Sequence, residues 1–230
     1  MFDQRHPGPE LLDGDDIPTA DLHRNLYELD VINRLLGGYR ISLDGLRRVL
    51  RHDRPSVLVD IGSGGGDTLK HIARWNRRQG YDLRLAGVDL KPDCIAYATQ
   101  HDPHPDIRFI CDDYRVVFDH LPHIDLLHAS LFCHHLTDGQ IVALIDLAQR
   151  QGCTLLINDL MRHPLAYYAI GLLTRLFSRS YLVKHDAPRS VLRGFRRREW
   201  LDLLAQSTAR RYEVRAKWAF RHQIIVYADT

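Results

Sequence analysis

Val57-Leu58-Val59-Asp60-Ile61-Gly62-Ser63-Gly64-Gly65-Gly66-Asp67 is a short apolar, β-branched run that breaks at Asp60 into a glycine loop. It continues as Thr68-Leu69-Lys70-His71-Ile72-Ala73, which reads as the start of a helix. A strand, a tight turn and a helix N-terminus in succession form a cradle for a nucleotide-like cofactor. The glycine spacing narrows the ligand. A dinucleotide loop requires Gly-x-Gly-x-x-Gly, and here Gly62 and Gly64 fit while the third position is Asp67. The pattern acidic-x-Gly-x-Gly-x-Gly is met in full by Asp60, Gly62, Gly64 and Gly66. An acid beside the loop repels a pyrophosphate and can hold an ammonium group.

Further strand ends carry acids where such a cofactor needs them. Residues 84–88 read as a second strand ending at Asp89, whose two carboxylate oxygens can accept hydrogen bonds from both hydroxyls of a ribose. Residues 107–111 form a third strand running into Asp112-Asp113-Tyr114. The fourth, residues 124–130, ends at Ser130 and runs into Leu131-Phe132-Cys133-His134-His135, and the fifth, residues 154–157, ends in Asn158-Asp159. Residues 212–219 and 223–227 close the chain as two strands whose connection is too short for a parallel crossover.

The glycine loop with its acid resembles motif I of the class I S-adenosylmethionine (SAM) methyltransferases. The fourth strand with its Ser, aromatic residue and His pair is similar to motif IV of their small-molecule branch. The resemblance spans residues 40–230 and implies an α/β, Rossmann-like class I methyltransferase fold. Its mostly parallel seven-stranded sheet ends in a C-terminal antiparallel hairpin, with N-terminal helices and a helical lid. It further implies SAM as cofactor and S-adenosylhomocysteine as product. Asp60 would face the methionine ammonium, with Gly62, Ser63, Gly64 and Gly66 beneath the cofactor. Asp89 and Leu90 fall at the ribose, Asp113 (with Asp112 second) and Tyr114 at the adenine, and Ser130 beside them. Arg34 and Gly38, with Gly37 and Tyr39, are candidates for the methionine end.

Length and composition fit a single methyltransferase domain over 1–230. Residues 1–52 would be a helical cover, 53–159 the cofactor-binding core, 160–207 a helical lid and substrate region, and 208–230 the hairpin. Hydrophobic residues make up 45% and charged residues 26% of the chain, with 31 basic against 29 acidic residues. The formal charge of +2 supplies no strong field for nucleic acid or acidic lipid. Residues 1–18 are polar, rich in Asp, Pro and Gly, and read as mobile until a ligand binds. A helix is expected from Thr19, capped by Thr19 or Asp21 and stopped at Gly37-Gly38, with a second over about residues 43–52. Cys94, Cys111, Cys133 and Cys153 form no Cys-x-x-Cys pair and read as buried thiols in a reducing compartment. With no basic-plus-apolar leader, a cytoplasmic location is expected.

The most individual segment is 160–207. Leu165-Ala166-Tyr167-Tyr168-Ala169-Ile170-Gly171-Leu172-Leu173 is apolar all round, the mark of a buried helix, a lid over a greasy substrate or a membrane-contacting surface. It is too short to span a bilayer, and a lid is the preferred reading. Such a face could equally be a homodimer contact. Together with residues 187–195 and Trp218-Ala219-Phe220-Arg221 it resembles a bacterial subgroup associated with type III polyketide synthase pathways, which implies a phenolic or pyrone-like acceptor.

A phenol is mostly protonated at neutral pH, so a base helps, and histidine is the side chain tuned for it. His134, His135 and His163 follow strand ends and are the candidates, His134 first. Phe132, Arg162, Tyr167 and Arg193 would contact and orient the acceptor. Cys133-His134-His135 has no second ligand pair at a suitable spacing, so no metal is expected. Arg193, Arg196, Arg197 and Arg198 are the one basic cluster, which keeps a nucleic-acid methyltransferase as the alternative, with nucleic acid not favoured. A non-catalytic SAM-binding module is the third reading.

Overall fold

The computed structural model describes residues 1–14, 16–101, 104 and 106–229. Seven strands, β1 (Ser56–Ile61), β2 (Leu83–Asp89), β3 (Ile107–Cys111), β4 (Leu126–Ser130), β5 (Thr154–Leu160), β6 (Tyr212–Lys217) and β7 (Arg221–Val226), form one sheet in the order β3-β2-β1-β4-β5-β7-β6. The first five pair in parallel; β7 runs antiparallel to β5, and β6 antiparallel to β7. This is the expected Rossmann-like methyltransferase architecture. Strand order reverses at β1 and β4, so their carboxyl ends open the crevice where ligands bind in such sheets.

Alternation along the strands builds a core on each face. Val59, Ile61, Leu127, Leu155 and Ile157 pack toward α6 (Asp138–Arg150) and α9 (Arg197–Gln206), with Trp200 of α9 fully buried. Leu58, Leu85, Leu126 and Leu156 point the other way, onto Leu46 of α2 (Gly38–Val49) and Leu69, Ile72 and Trp75 of α3 (Asp67–Gln79). A strand buried on both faces reads as a continuous apolar run, which is why Val57-Leu58-Val59 carries no polar residue.

Several boundaries differ from the sequence expectation. Helix α1 (Thr19–Leu35) is preceded by Pro18 and has no side-chain cap; Asp21 sits instead in its first turn, where its charge meets the helix dipole. Gly37, at φ 74°, ends α1 and at once starts α2, so the second helix covers Gly38–Val49 rather than about 43–52. Strand β5 reaches Leu160 because β7 pairs with it as far as Leu160 and Arg221. Of the expected lid, α9 belongs to the sheet's own layer. Only α7 (Pro164–Phe177) and α8 (Tyr181–Arg193) stand over the carboxyl edge. Cys111 is exposed, unlike the other three cysteines, because it ends edge strand β3.

The N-terminal segment is tied down rather than loose, although Asp15 lies outside the described residues. Arg5 donates to the Leu136 carbonyl at 2.8 Å and to Asp138 at 2.6 Å, and the Leu11 and Leu12 amides donate to Asp186 at 2.8 and 2.9 Å. Among the described residues no helix is long and apolar enough to cross a membrane.

Candidate functional site

The glycine loop leaves β1 with Gly62, Gly64 and Gly66 all in the left-handed region. Gly62 is the tightest: at φ 63°, a Cβ on it would lie 2.2 Å from the Phe132 ring, which arrives from the end of β4. Gly62→Ala therefore meets both a strained backbone, about 1–2 kcal/mol, and an overpacked ring, about 1–3 kcal/mol. Denaturant unfolding should report the loss, and a stability equal to wild type would show that Phe132 moves aside freely.

The loop forms the floor of a cavity of about 450 Å³. Gly62, Ser63, Gly64, Asp89, Leu90, Asp112, Asp113, Tyr114, Ser130 and Phe132 all line it, so the loop and three separate strand ends converge on one space. Asp89, at the end of β2, accepts the Gly64 amide on one oxygen at 2.8 Å and the Lys91 amide on the other at 3.0 Å. Burial pushes its carboxyl up, while those two amides act against the shift. Asp113 is bound to its own neighbour, taking the Arg115 amide and guanidinium, whereas Asp112 bonds His120 at 2.7 Å. Gly66 supports the loop from behind, its missing Cβ filled by Phe109 and Ala98.

Three expected contacts fall elsewhere. Asp60 is buried behind the loop, where it accepts from His128 Nδ1 at 2.6 Å. His128 Nε2 in turn accepts from the Ser42 hydroxyl at 2.9 Å, and Ser42 accepts from Asn158, so the carboxylate joins β1 and β4 to α2 and does not line the cavity. Arg34 is exposed on α1, one face away. Gly38 is buried against Asn33, and its carbonyl accepts from Asn158 at 2.9 Å. The residues that close this end are Asp30, Asn33, Tyr39, Asp67 and Thr68. The Tyr39 hydroxyl donates to Asp30 at 2.8 Å, and its ring stacks on His71. Asp67 is pushed up to about 6, chiefly by burial. Sequence reasoning flagged Asp67 only as the residue that spoils a dinucleotide loop; its place inside the cavity depends on the left-handed turn at Gly66.

A second cavity, about 350 Å³, lies between α1, α7, α8 and the start of β7. Its wall is largely aliphatic: Ile32, Leu36, Ala169, Ile170, Leu173 and Val183. It shares Leu12, Leu29, Asn33, Leu131 and His135 with the first, so the two spaces meet. Leu131 at that junction holds φ 55°, an unusual state for a branched side chain that its amide stabilises by donating to the Asn158 carbonyl at 2.9 Å.

His134 and His135 stand at the junction. His134 is buried; its Nδ1 donates to Asp159 Oδ1 at 2.7 Å, and its amide donates to the other Asp159 oxygen at 3.1 Å. Burial works against the charge of Asp159, but His134, the Leu160 amide and Arg221 hold its carboxyl below the usual range. His135 Nδ1 donates to Asp13 at 2.7 Å. Burial favours a neutral His135, yet Asp13 and Glu10 outweigh it and the imidazole titrates above its ordinary value. The two rings lie side by side, their centroids 4.3 Å apart, because a 3-10 turn over Cys133–His135 folds them together.

The other predicted acceptor contacts are structural. His163 caps α7 through the Leu165 amide and stacks on Phe220, lining neither cavity. Arg162 is buried and donates to the carbonyls of Phe2 and Gly194 and to Glu199, fixing the N-terminal segment to α9. Tyr167 packs edge-on against Phe2 and Tyr168. Arg193 lies behind the His pair, donating to the carbonyls of His134 at 2.9 Å, His135 at 3.0 Å and Gly8 at 2.6 Å. Of the arginine run, Arg193 is buried, while Arg196, at the N-cap of α9, Arg197 and Arg198 are exposed, Arg196 pairing with Asp3 at 3.1 Å. Helix α7 shows its second face outward, with Leu165, Tyr168, Leu172, Leu176 and Phe177 exposed.

Residues 58–151, from β1 through α6, match the family model of a methyltransferase domain. Among solved structures the chain is similar to human N-acetylserotonin methyltransferase in complex with SAM, with 18% identity and a TM-score of 0.63 over 93% of this chain and 57% of that one. It is likewise similar to the plantazolicin methyltransferase BpumL in complex with S-adenosylhomocysteine, at 14% identity and TM-score 0.62, covering 90% of both chains. The CMeT domain of the citrinin polyketide synthase aligns at 14% identity and TM-score 0.55, over 80% of this chain and 49% of that one. The chain thus spans little more than half the length of the human enzyme. No curated protein sequence matches it significantly. Residues 58–151 thus match a methyltransferase domain, and the fold over most of the chain is the one these methyltransferases share.

Proposed function

We propose that the protein transfers the methyl group of SAM to a small, largely apolar acceptor, with oxygen as the receiving atom. The observation that carries this reading is the aliphatic second cavity, which opens onto the cofactor cavity at His135. SAM would lie across the glycine loop with its ribose on Asp89, its adenine by Asp112 and Asp113, and its methionine ammonium by Asp30 and Asp67. The methyl group would then point through the junction. Transfer is an in-line displacement at an already electrophilic carbon, so alignment and exclusion of water supply most of what the protein must give, about 7–11 kcal/mol in well-oriented cases. An acceptor hydroxyl at the junction would lose its proton at the His pair, where Asp159 and Asp13 occupy both Nδ1 atoms and leave Nε2 as the working nitrogen.

A phenolic or polyketide-like acceptor fits the cavity's chemistry, and the similar domain of a polyketide synthase supports that class. Release of S-adenosylhomocysteine in the presence of a panel of phenols and pyrones tests the reading. SAM binding with no release from any acceptor would favour a binding module, and salt-dependent RNA binding would favour a nucleic-acid substrate.

Asp67 gives the methionine end a pH signature. Its carboxyl is pushed up to about 6, so the SAM-free protein holds a proton there that the unfolded chain releases near the ordinary value of 3.8. Native Asp67 therefore contributes stability below 3.8 that is lost as pH rises toward 6. Cofactor affinity runs the opposite way, because an ammonium binds the ionised carboxylate. Calorimetric SAM affinity should rise as pH climbs through about 6 and level off above it, and Asp67→Asn should flatten the curve. An unchanged curve in that variant would remove Asp67 from the methionine end.

A further inference from the structure

We propose that Glu10, His134 and His135 form a binding site for a divalent first-row transition-metal ion at the junction of the two cavities. Each imidazole has its Nδ1 committed to a carboxylate, His134 to Asp159 and His135 to Asp13, both at 2.7 Å. That arrangement fixes the tautomer and turns the Nε2 lone pair outward, as it does for histidines that ligate metals. Both lone pairs converge on one side chain. Glu10 Oε1 lies 3.6 Å from His134 Nε2, and Glu10 Oε2 lies 3.9 Å from His135 Nε2.

These separations are too long for hydrogen bonds and suit a shared ion. Donors about 2.0–2.2 Å from one tetrahedral ion stand roughly 3.3–3.6 Å apart, so small rotamer adjustments close the site. A second observation points the same way. The Glu10 side chain is 3% exposed, and its Oε1 accepts no hydrogen bond from any described residue. A buried carboxylate oxygen without a donor is costly unless a cation satisfies it.

The surroundings are built to hold this geometry. Arg193 and Arg5 bond the carbonyls of the His134–His135 turn, and Asp186 takes the Leu11 and Leu12 amides, which fixes the segment that carries Glu10. The Arg193 guanidinium stands 3.7 Å from Glu10 Oε1, but Glu10, Asp13 and Asp159 together leave the cluster net acidic. Two imidazoles and a carboxylate suit Zn²⁺, Fe²⁺ or Co²⁺ rather than Mg²⁺ or Ca²⁺, which prefer all-oxygen sites. Three protein donors leave coordination positions free, and all three donors line the aliphatic cavity. An acceptor hydroxyl entering there would bind the ion through oxygen and release its proton to solvent, the ion lowering its pKa. That last step rests on the acceptor reading proposed above; the site itself does not.

Cobalt titration tests the proposal. The chelator-treated protein should take up one equivalent of Co²⁺ with the ligand-field absorption of a nitrogen and oxygen site. Glu10→Gln and His135→Gln should weaken uptake by at least about 100-fold, and Asp159→Asn, behind the ligand, by about 10- to 100-fold. His52→Gln, a histidine stacked on Tyr81 far from the cluster, should change nothing. SAM affinity, measured on the same samples, reports whether each variant is folded. Wild-type protein that takes up no stoichiometric Co²⁺ overturns the proposal without recourse to variants. So does uptake that is equal in every variant, which would mark scattered surface histidines. Stoichiometric uptake with no methyl transfer to any acceptor would leave the metal site standing and sink the acceptor reading.

Discussion

Replacing Asp89 by Asn should weaken SAM binding about 100-fold while the fold survives. A hydrogen bond to a charged group contributes about 1.5–3 kcal/mol, and 1.4 kcal/mol is a factor of ten in Kd. Asp89 stands at the end of β2, beside the point where strand order reverses, with one oxygen on the Gly64 amide and the other on the Lys91 amide. Each oxygen keeps a second lone pair for the cavity, so a ribose diol would receive two charge-assisted bonds. Asn retains the volume and one acceptor oxygen, but its amide nitrogen faces donors on the other side. The loss therefore exceeds that of a single bond. The same substitution loosens the glycine loop, because one of its anchoring amides loses its acceptor. Calorimetric titration with SAM, alongside thermal unfolding, separates the two effects: a large affinity loss with a small change in Tm places the carboxylate on the cofactor. Titration with NADH is the companion measurement. Binding of NADH by the wild type, with none of SAM, would return the loop to the dinucleotide class despite its spacing.

The sheet was legible because its signals are local. Short strand-like runs marked all seven strands, those of β1, β2, β3 and β5 ending at or beside acids, and the short connection between the last two dictated an antiparallel pair. That the loop residues and strand-end acids line one cavity was legible for the same reason, since backbone direction carries a residue at a parallel strand's carboxyl end into the crevice. What failed was everything that depends on a partner distant in sequence. Arg162 and Arg193 look like substrate anchors until the N-terminal segment folds back and supplies their carbonyl partners from Phe2 and Gly8. Asp60 matches its motif yet is consumed by His128, which sequence shows only as one polar residue in the fourth strand. Glu10 carried no signal at all: it stands in a polar segment more than a hundred residues from the histidines it meets.

The His pair carries the largest expected effect on turnover. His134→Gln keeps a side chain of similar reach but has no ring nitrogen to take a proton, and kcat for a phenolic acceptor should fall by about 10²- to 10⁴-fold. SAM affinity should hold, because His134 lines only the second cavity. The pH profile gives the decisive readout. A free phenol ionises near pH 10, so the variant should recover toward wild-type rates as pH approaches that value and the acceptor no longer needs help. A residue that merely packs the junction would lose activity by the same factor at every pH. Asp159→Asn should show a milder form of the same profile, since it disturbs the Nδ1 hydrogen bond and leaves the imidazole in place. Both a direct proton transfer to Nε2 and ionisation of the hydroxyl on a metal held by that nitrogen give this recovery at high pH. Cobalt distinguishes them: if His134 acts as the base, full chelation leaves kcat intact, and if it acts as a ligand, kcat falls with the metal and returns when it is restored.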